Sequence, residues 1–327
     1  MIAYWVTLLA ISILLYVLLD GFDLGVGMLF GLTRGESNRN TMMAAVAPIW
    51  DGNETWLVVT GVILWGAFPI AYSILLSALY LPLLVMLAGL ILRGVAFEFR
   101  NKTEQRWFWD WSFIIGSFAA SFIQGLTVGA LVEGLPIVNG QYAGGDYGWF
   151  SPFAVLCGLG LCLGYALLGA CWLIKKCEGD VREQCYRLVP YLAVGLLIFL
   201  AVVFAYALAE KLQVIGRWLE RPYLFVFPVI GALSGIVLAF SVRYRHDDVP
   251  FPMTVLIFVA AFSTLAVSFW PYIIPFTLTI EDAAAPQSSL AFMFWGEGLF
   301  VFPILLLYAV INFTVFRGKV QSAAERY

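Results

Sequence analysis

Asp20 and Asp23 interrupt a run that is otherwise apolar from about residue 3 to residue 31, in the segment Leu19-Asp20-Gly21-Phe22-Asp23-Leu24-Gly25-Val26-Gly27. Spaced i, i+3, they share one face of a helix. The glycines around them let a second helix approach closely. A second group lies in Pro48-Ile49-Trp50-Asp51-Gly52-Asn53-Glu54-Thr55-Trp56-Leu57. Asp51 and Glu54 are again i, i+3, with Trp50, Asn53 and Leu57 on an adjacent strip. An ionised side chain inside a bilayer costs roughly 2.5–3.5 kcal/mol on insertion scales, so such residues mark proton relays, ion paths or paired structural charges.

Each group has a plain structural alternative. The first helix could end near Leu19 and leave Asp20 and Asp23 at a wet surface. The second could be a helix start with Asp51 as its cap. A helix that starts near Thr41 instead buries the Asp51 group about ten residues deep. The density of polar groups between two tryptophans exceeds what a cap requires. Glu297, in Trp295-Gly296-Glu297-Gly298, lies several residues inside the last apolar run, and Gln124 and Glu133 lie in the fourth. A structural and a functional role remain equally open for Glu297. Arg93 stands near the end of the third run, before Glu98 and Arg100, and is expected to snorkel to the membrane surface.

The elements that must hold these residues follow from composition. Of 327 residues, 62% are hydrophobic and 12% charged. Soluble domains carry roughly twice that charge, so lipid and other helices must surround most side chains. Runs long enough to span a bilayer lie near 3–31, 42–66, 72–97, 110–133, 152–174, 187–209, 223–242, 252–274 and 291–316. The cut between the second and third rests on a tight turn at Gly66, Phe68 and Pro69. Pro152, Pro222 and Pro252 suit the first turns of later helices. The first run lacks a basic leader and a small-residue cleavage site, so it is expected to stay in the protein as a helix.

The expected fold is an all-α polytopic membrane protein with about nine transmembrane helices. They form two four-helix bundles plus one peripheral helix, a single transmembrane domain over residues 1–327. Lysine and arginine set its direction. Fifteen of the 18 fall on alternate loops, and the exceptions are Lys211, Arg217 and Arg221. Loops 134–151 and 275–290 hold neither. The pattern predicts a periplasmic N-terminus and a cytoplasmic C-terminus. Loops of about 20 residues or fewer leave no room for a soluble catalytic domain, and no basic patch suits nucleic acid. Aromatic clusters at Trp107, Trp109 and Trp111, and at Tyr147, Trp149 and Phe150, read as interfacial belts.

The chain has one histidine, His246, in the charged stretch Arg243-Tyr244-Arg245-His246-Asp247-Asp248. A bis-histidine haem is therefore impossible within this chain. The five cysteines form no C-x-x-C pair and are expected to be free, and the sequence predicts no metal site.

The two acidic segments, taken together, resemble those of subunit II of the cytochrome bd ubiquinol oxidase family, including the cyanide-insensitive oxidases. Arg93-Gly94-Val95-Ala96-Phe97-Glu98-Phe99-Arg100, Trp109-Asp110-Trp111 with Gly116-Ser117-Phe118, and Trp270-Pro271-Tyr272-Ile273-Ile274-Pro275 extend the resemblance over nearly the whole chain. It implies a haem-free subunit of the bacterial inner membrane that shares the fold of subunit I. Subunit I would carry haems b and d and the quinol site. The complex would oxidise quinol at the outer side and reduce dioxygen to water, taking protons from the cytoplasm without pumping. Membrane lipid, a structural quinone and a small accessory subunit are further partners the resemblance admits. Asp51, Asp23, Asp20 and Glu54 would then be candidates for a proton path. Trp50 and Asn53 would be candidates for contact with subunit I near its haems. Asp51 and Glu297 also admit another function, a proton-coupled secondary transporter with a helix broken at Pro48 and Gly52. A scaffold whose carboxylates are paired and inert is a third possibility.

Overall fold

The computed structural model describes residues 1–210, 218 and 221–320. Lys211 and Arg217, two exceptions to the charge pattern, lie outside them. Among the described residues there are ten helices of nine residues or more: α1 (Ile2–Phe30), α2 (Glu36–Ala44), α3 (Trp50–Ala67), α4 (Pro69–Phe99), α5 (Arg106–Glu133), α6 (Pro152–Lys176), α7 (Gly179–Ala209), α8 (Val226–Arg243), α9 (Pro250–Phe269) and α10 (Gln287–Val315). All but α2 and α3 are long and apolar enough to cross a membrane. α3 has 18 residues, about 27 Å at 1.5 Å per residue, long enough for a ninth span but less apolar than the other eight. Asp51, Asn53 and Glu54 in its opening turns lower its apolarity.

α1 runs through the middle. It packs on α3 and α5 of one bundle and on α6 of the other, while α6 also meets α5, α7 and α9. α10 lies at the edge of the bundle, where Phe302 is buried against Trp56 and Leu305, Leu306 and Ala309 pack on the cluster shared with α1 and α3. The central crossings are backbone to backbone. A Cβ on Gly169 would stand 2.6 Å from the Val26 nitrogen, and one on Gly25 would run into the Tyr165 carbonyl. Gly89 and Gly116 do the same between α4 and α5, where a Cβ on Gly89 would lie 2.9 Å from the Gly116 oxygen. In lipid, where hydrophobic burial drives no association, such close packing of small residues holds helices together.

Prolines place the boundaries. Phe68 leaves the helical region, and Pro69 opens α4 as its first residue, as the turn at Gly66–Pro69 predicted. Pro152 opens α6, with the Ser151 side chain accepting from the Ala154 N–H at 2.9 Å. Pro222 opens a short 3₁₀ turn, and Pro252 sits in the first turn of α9. Inside α4, Pro82 cannot donate to the Ala78 carbonyl, and the helix kinks at Leu79 (φ −112°, ψ 16°).

Two spans differ from expectation for the same reason. The run 42–66 is not one helix. α2 ends at Ala44, residues 45–49 form turns, and α3 starts at Trp50. Pro48 disfavours the helical conformation at Ala47 and offers no N–H to continue the ladder. The run 252–274 stops at Phe269, because Pro271 pushes Trp270 to an extended ψ of 132°. The chain then forms a small hairpin, Tyr272–Ile274 against Leu278–Thr279.

Gly25→Ala should lower the yield and thermal stability of the assembled protein in detergent, by the 1–3 kcal/mol typical of overpacking. Gly61→Ala, where nothing lies within 4 Å of the added carbon, should leave both unchanged. Size-exclusion profiles after graded heating measure the difference.

Candidate functional site: a buried guanidinium among carboxylates

Asp20 and Asp23 lie on α1, Asn53 and Glu54 on α3, and Arg93 on α4. The three helices bring them to one place. Arg93 Nη1 donates to Asp20 Oδ1 at 2.5 Å and Nη2 to Glu54 Oε2 at 2.6 Å. Arg93 and Asp20 are fully buried, while the Glu54 side chain is 28% exposed. Asp23 is equally buried and takes a different partner. Its Oδ2 accepts from Asn53 Nδ2 at 2.7 Å, and the same amide reaches the Leu19 carbonyl at 3.3 Å. Trp50 covers the cluster, with its ring 5.9 Å from the Arg93 guanidinium and stacked on Phe97 at 5.0 Å. One turn before Asp20, the Tyr16 hydroxyl accepts from Gln124 Nε2 at 2.7 Å, and the Tyr165 hydroxyl donates to Gln124 Oε1 at 2.8 Å.

Arg93 therefore does not snorkel. It points inward because a buried guanidinium and carboxylate are each costly alone and far less so together. Its chain position, six residues before the end of α4, allows either direction. The sequence clue was the imbalance of four carboxyl groups in the first two acidic segments against a single cation set inside a span. Tyr16 and Tyr165 were not singled out at all, since a tyrosine in an apolar run reads as core.

Asp51 is also not where a long second helix would put it. It lies in the first turn of α3 and is exposed, and its side chain makes no cap hydrogen bond. The break at Pro48 moves it from ten residues deep to the surface. It sits one turn from Glu54, so exposure falls stepwise from Asp51 through Glu54 to Asp20. Three buried atoms of the cluster have no hydrogen-bond partner among the described residues: Asp20 Oδ2, Asp23 Oδ1 and Arg93 Nε. Buried polar atoms are nearly always satisfied, by protein or by water.

The same end of the bundle carries a second ionic layer. Arg100, fully buried, binds Asp110 (Nε to Oδ1, 2.5 Å), Glu36 (2.8 Å) and Asn40 (2.6 Å), and Arg39 binds the other Asp110 oxygen at 2.8 Å. Arg106 also pairs with Glu36. Burial pushes the Glu36 carboxyl up, but the Arg106 and Arg100 guanidiniums outweigh it and hold it below its ordinary value. Its ion pairs therefore contribute above the usual carboxylate range and fade as pH falls through the depressed value. This layer fastens α2 to α4 and α5, and so fixes where α3 begins.

The remaining polar residues stand apart. Glu297 is half-buried in a π-helical stretch of α10, Phe294–Val301, beside the Tyr4 hydroxyl that donates to the Gly298 carbonyl at 2.7 Å. Glu133 accepts from Ser151 where α5 meets α6. The five cysteines are free. His246 is exposed in the loop between α8 and α9.

Fold and site together define a helical membrane subunit that carries buried acid–base groups and too few histidines to ligate a haem pair. The sequence matches the family described as cytochrome bd terminal oxidase subunit II over residues 1–316. It is 27% identical to cytochrome bd-I ubiquinol oxidase subunit 2 of Escherichia coli (strain K12), over 97% of this chain and 94% of that one. It is also 27% identical to cytochrome bd ubiquinol oxidase subunit 2 of Bacillus subtilis (strain 168), over 97% and 96%. The solved bd oxidase of Geobacillus thermodenitrificans superposes with a TM-score of 0.78 at 17% identity, covering 96% of this chain and 98% of that one, which establishes the shared fold. The chain belongs to the cytochrome bd terminal oxidase subunit II family. It is a multi-pass protein of the bacterial inner membrane and a subunit of a quinol oxidase. Membership decides against the transporter, and it places a subunit I beside this chain, with the haems in that partner.

Arg93→Met should destabilise the subunit by about 3–5 kcal/mol, the scale of breaking a buried pair from one side, because Asp20 loses its cation. Asp20→Asn added to Arg93→Met should recover part of that loss. Thermal melts of the single and double variants in detergent measure the coupling.

Proposed function

We propose that this chain conducts protons from the cytoplasm towards the oxygen-reducing site of a haem-bearing subunit I and holds no haem itself. The basic end of the bundle, with Arg34, Arg39, Arg100, Lys102 and Arg106, faces the cytoplasm on the positive-inside rule, which puts the N-terminus in the periplasm and the C-terminus in the cytoplasm. The observation that carries this reading is the graded burial of four carboxyl groups at that end. Asp51 is open to solvent, Glu54 is half-buried, and Asp20 and Asp23 are closed off behind them.

Chemically, each group has a distinct task. Asp51 collects protons at the mouth. Glu54, paired with Arg93, passes them inward. The Arg93 guanidinium holds Asp20 and Glu54 in place at two fixed oxygens. Asp23 faces an amide instead of a cation, so its carboxyl oxygen is free to exchange a proton without losing an ion pair. The orphaned atoms Asp20 Oδ2, Asp23 Oδ1 and Arg93 Nε are the points where water would complete the relay. Trp50, which covers the cluster, forms the face towards subunit I, and the buried Asn53 lies behind it. The haems bound there would supply the electron transfer and the reduction of dioxygen. Quinol is the reductant at the outer side, and a structural quinone, surrounding lipid and a small accessory subunit complete the assembly in this reading.

A tagged chain purified from its native membranes should bring a haem-containing partner, show a reduced-minus-oxidised haem spectrum and consume oxygen with a quinol. A haem-free, inactive preparation would overturn the proposal. Asp51→Asn and Asp20→Asn should each lower turnover by on the order of tenfold or more, the scale of losing a proton-transfer group, while the haem spectrum persists. Unchanged turnover would make the affected carboxylate a structural group.

A further inference from the structure

Tyr16, Gln124 and Tyr165 form a buried polar layer beside the carboxylate cluster, drawn from α1, α5 and α6, and the proton path as described makes no use of it. The layer is tightly set. A Cβ on Gly21, the residue after Asp20, would stand 2.6 Å from the Tyr165 ring, and that ring stacks on Phe258 at 5.8 Å. Beyond the layer the helices carry no charged side chain. There is no Asp, Glu, Lys or Arg in α1 before Asp20, in α4 before Arg93, in α6 before Tyr165, or in α5 between Gln124 and Glu133. The three side chains therefore separate the charged cluster from an uncharged stretch of all four helices.

Counting donors and acceptors fixes the direction of their hydrogen bonds. Gln124 Nε2 donates to the Tyr16 oxygen at 2.7 Å, and the Tyr165 hydroxyl donates to Gln124 Oε1 at 2.8 Å. The Tyr16 hydroxyl thus accepts one bond and keeps its own proton to give. Asp20 stands four residues further along the same face of α1, and the Tyr16 hydroxyl faces its carboxyl. Arg93 takes Asp20 Oδ1, while Oδ2 is the buried oxygen with no hydrogen-bond partner among the described residues. Turning the Gln124 amide over would spend the Tyr16 proton on Gln124. It would also leave the Tyr165 proton with no acceptor among the described residues, so the first direction satisfies more of these buried groups.

We propose that Tyr16, pinned by Gln124 and Tyr165, is a positioning residue that turns its proton to Asp20 Oδ2 and holds that carboxyl at the inner end of the proton path. Asp20 then has a donor on each oxygen, Arg93 from α4 and Tyr16 from its own helix. Two donors on opposite oxygens fix the plane of the carboxyl, which Arg93 Nη1 alone does not. The hydroxyl brings no charge, so it adds this hold without altering the balance of the cluster. The use in turnover rests on the proton-path reading, whereas the hydrogen bond itself does not.

The test is a double-mutant cycle on the intact oxidase, read as turnover and as thermal stability in detergent. Tyr16→Phe keeps the ring and removes the hydroxyl. It should lower kcat at saturating quinol by about tenfold, the scale of one hydrogen bond to a charged group, with KM for quinol and the haem spectrum unchanged. Adding Tyr16→Phe to Asp20→Asn should lower kcat no further, because Tyr16 acts through Asp20. Gln124→Leu leaves the Tyr16 hydroxyl in place but unpinned. It should also lower kcat, again without adding to Asp20→Asn, and it carries the test if Tyr16→Phe does not assemble. In thermal melts the losses from Tyr16→Phe and Asp20→Asn should fail to add, as for groups in contact. Additive stability losses would overturn the proposal. So would full turnover in Tyr16→Phe where Asp20→Asn is impaired. Full turnover in Asp20→Asn, with stability losses that still fail to add, would instead remove Asp20 from the proton path and leave its hydrogen bond to Tyr16 standing.

Discussion

Arg93 is the residue on which the basic half of this protein depends. It is a fully buried cation that binds carboxylates from two other helices, Asp20 on α1 and Glu54 on α3. Three spans that are otherwise held by dispersion and small-residue contacts thereby acquire a fixed register. A shift of any one by a single residue would leave a charge facing hydrocarbon. The pair is a poor source of net stability, because desolvation offsets much of the attraction. Its value is specificity: it defines one arrangement of α1, α3 and α4.

That arrangement is supported from outside by the layer around Arg100 and Asp110. Those contacts lie between α2, the end of α4 and α5, and they hold α2 to that end of the bundle. The turn at residues 45–49 then delivers Trp50 to the rim and Asp51 to solvent. The acidic gradient from surface to interior is thus a product of two ionic clusters and one proline, each of which could be altered without touching the others.

Much of this was legible in the sequence. Hydropathy placed a helix at each of the nine apolar runs, but it missed the break at Pro48, the stop before Pro271 and the eight residues by which α7 begins early; the first two causes were local and visible in the chain. Asp20, Asp23, Asn53 and Glu54 were marked by their setting and do meet. What the sequence could not convey was direction. Arg93 has a surface within reach and a carboxylate within reach, and only the packing of α4 against α1 decides between them. Tyr16, Gln124 and Tyr165 come together from three helices, and no spacing rule links residues so far apart along the chain. The family resemblance brought the partner and the redox chemistry into view, which no property of these residues alone would have done.

The central position of α1 has a consequence for how the protein is made. α1 enters the membrane first, yet its aspartate's partner lies 73 residues later in the chain. Its closest packing partner, α6, comes later still, with Gly169 144 residues after Gly25. At about 5–20 residues per second of synthesis, the first helix waits roughly 4–15 seconds for Arg93, and about twice that for α6. During that interval Asp23 can meet Asn53, 30 residues on, but Asp20 has no cation and the glycine groove no helix to fill it. The order of the genetic message therefore demands a holding environment for the nascent chain, at the insertion machinery or at the water-facing edge of the bilayer, before the bundle can close.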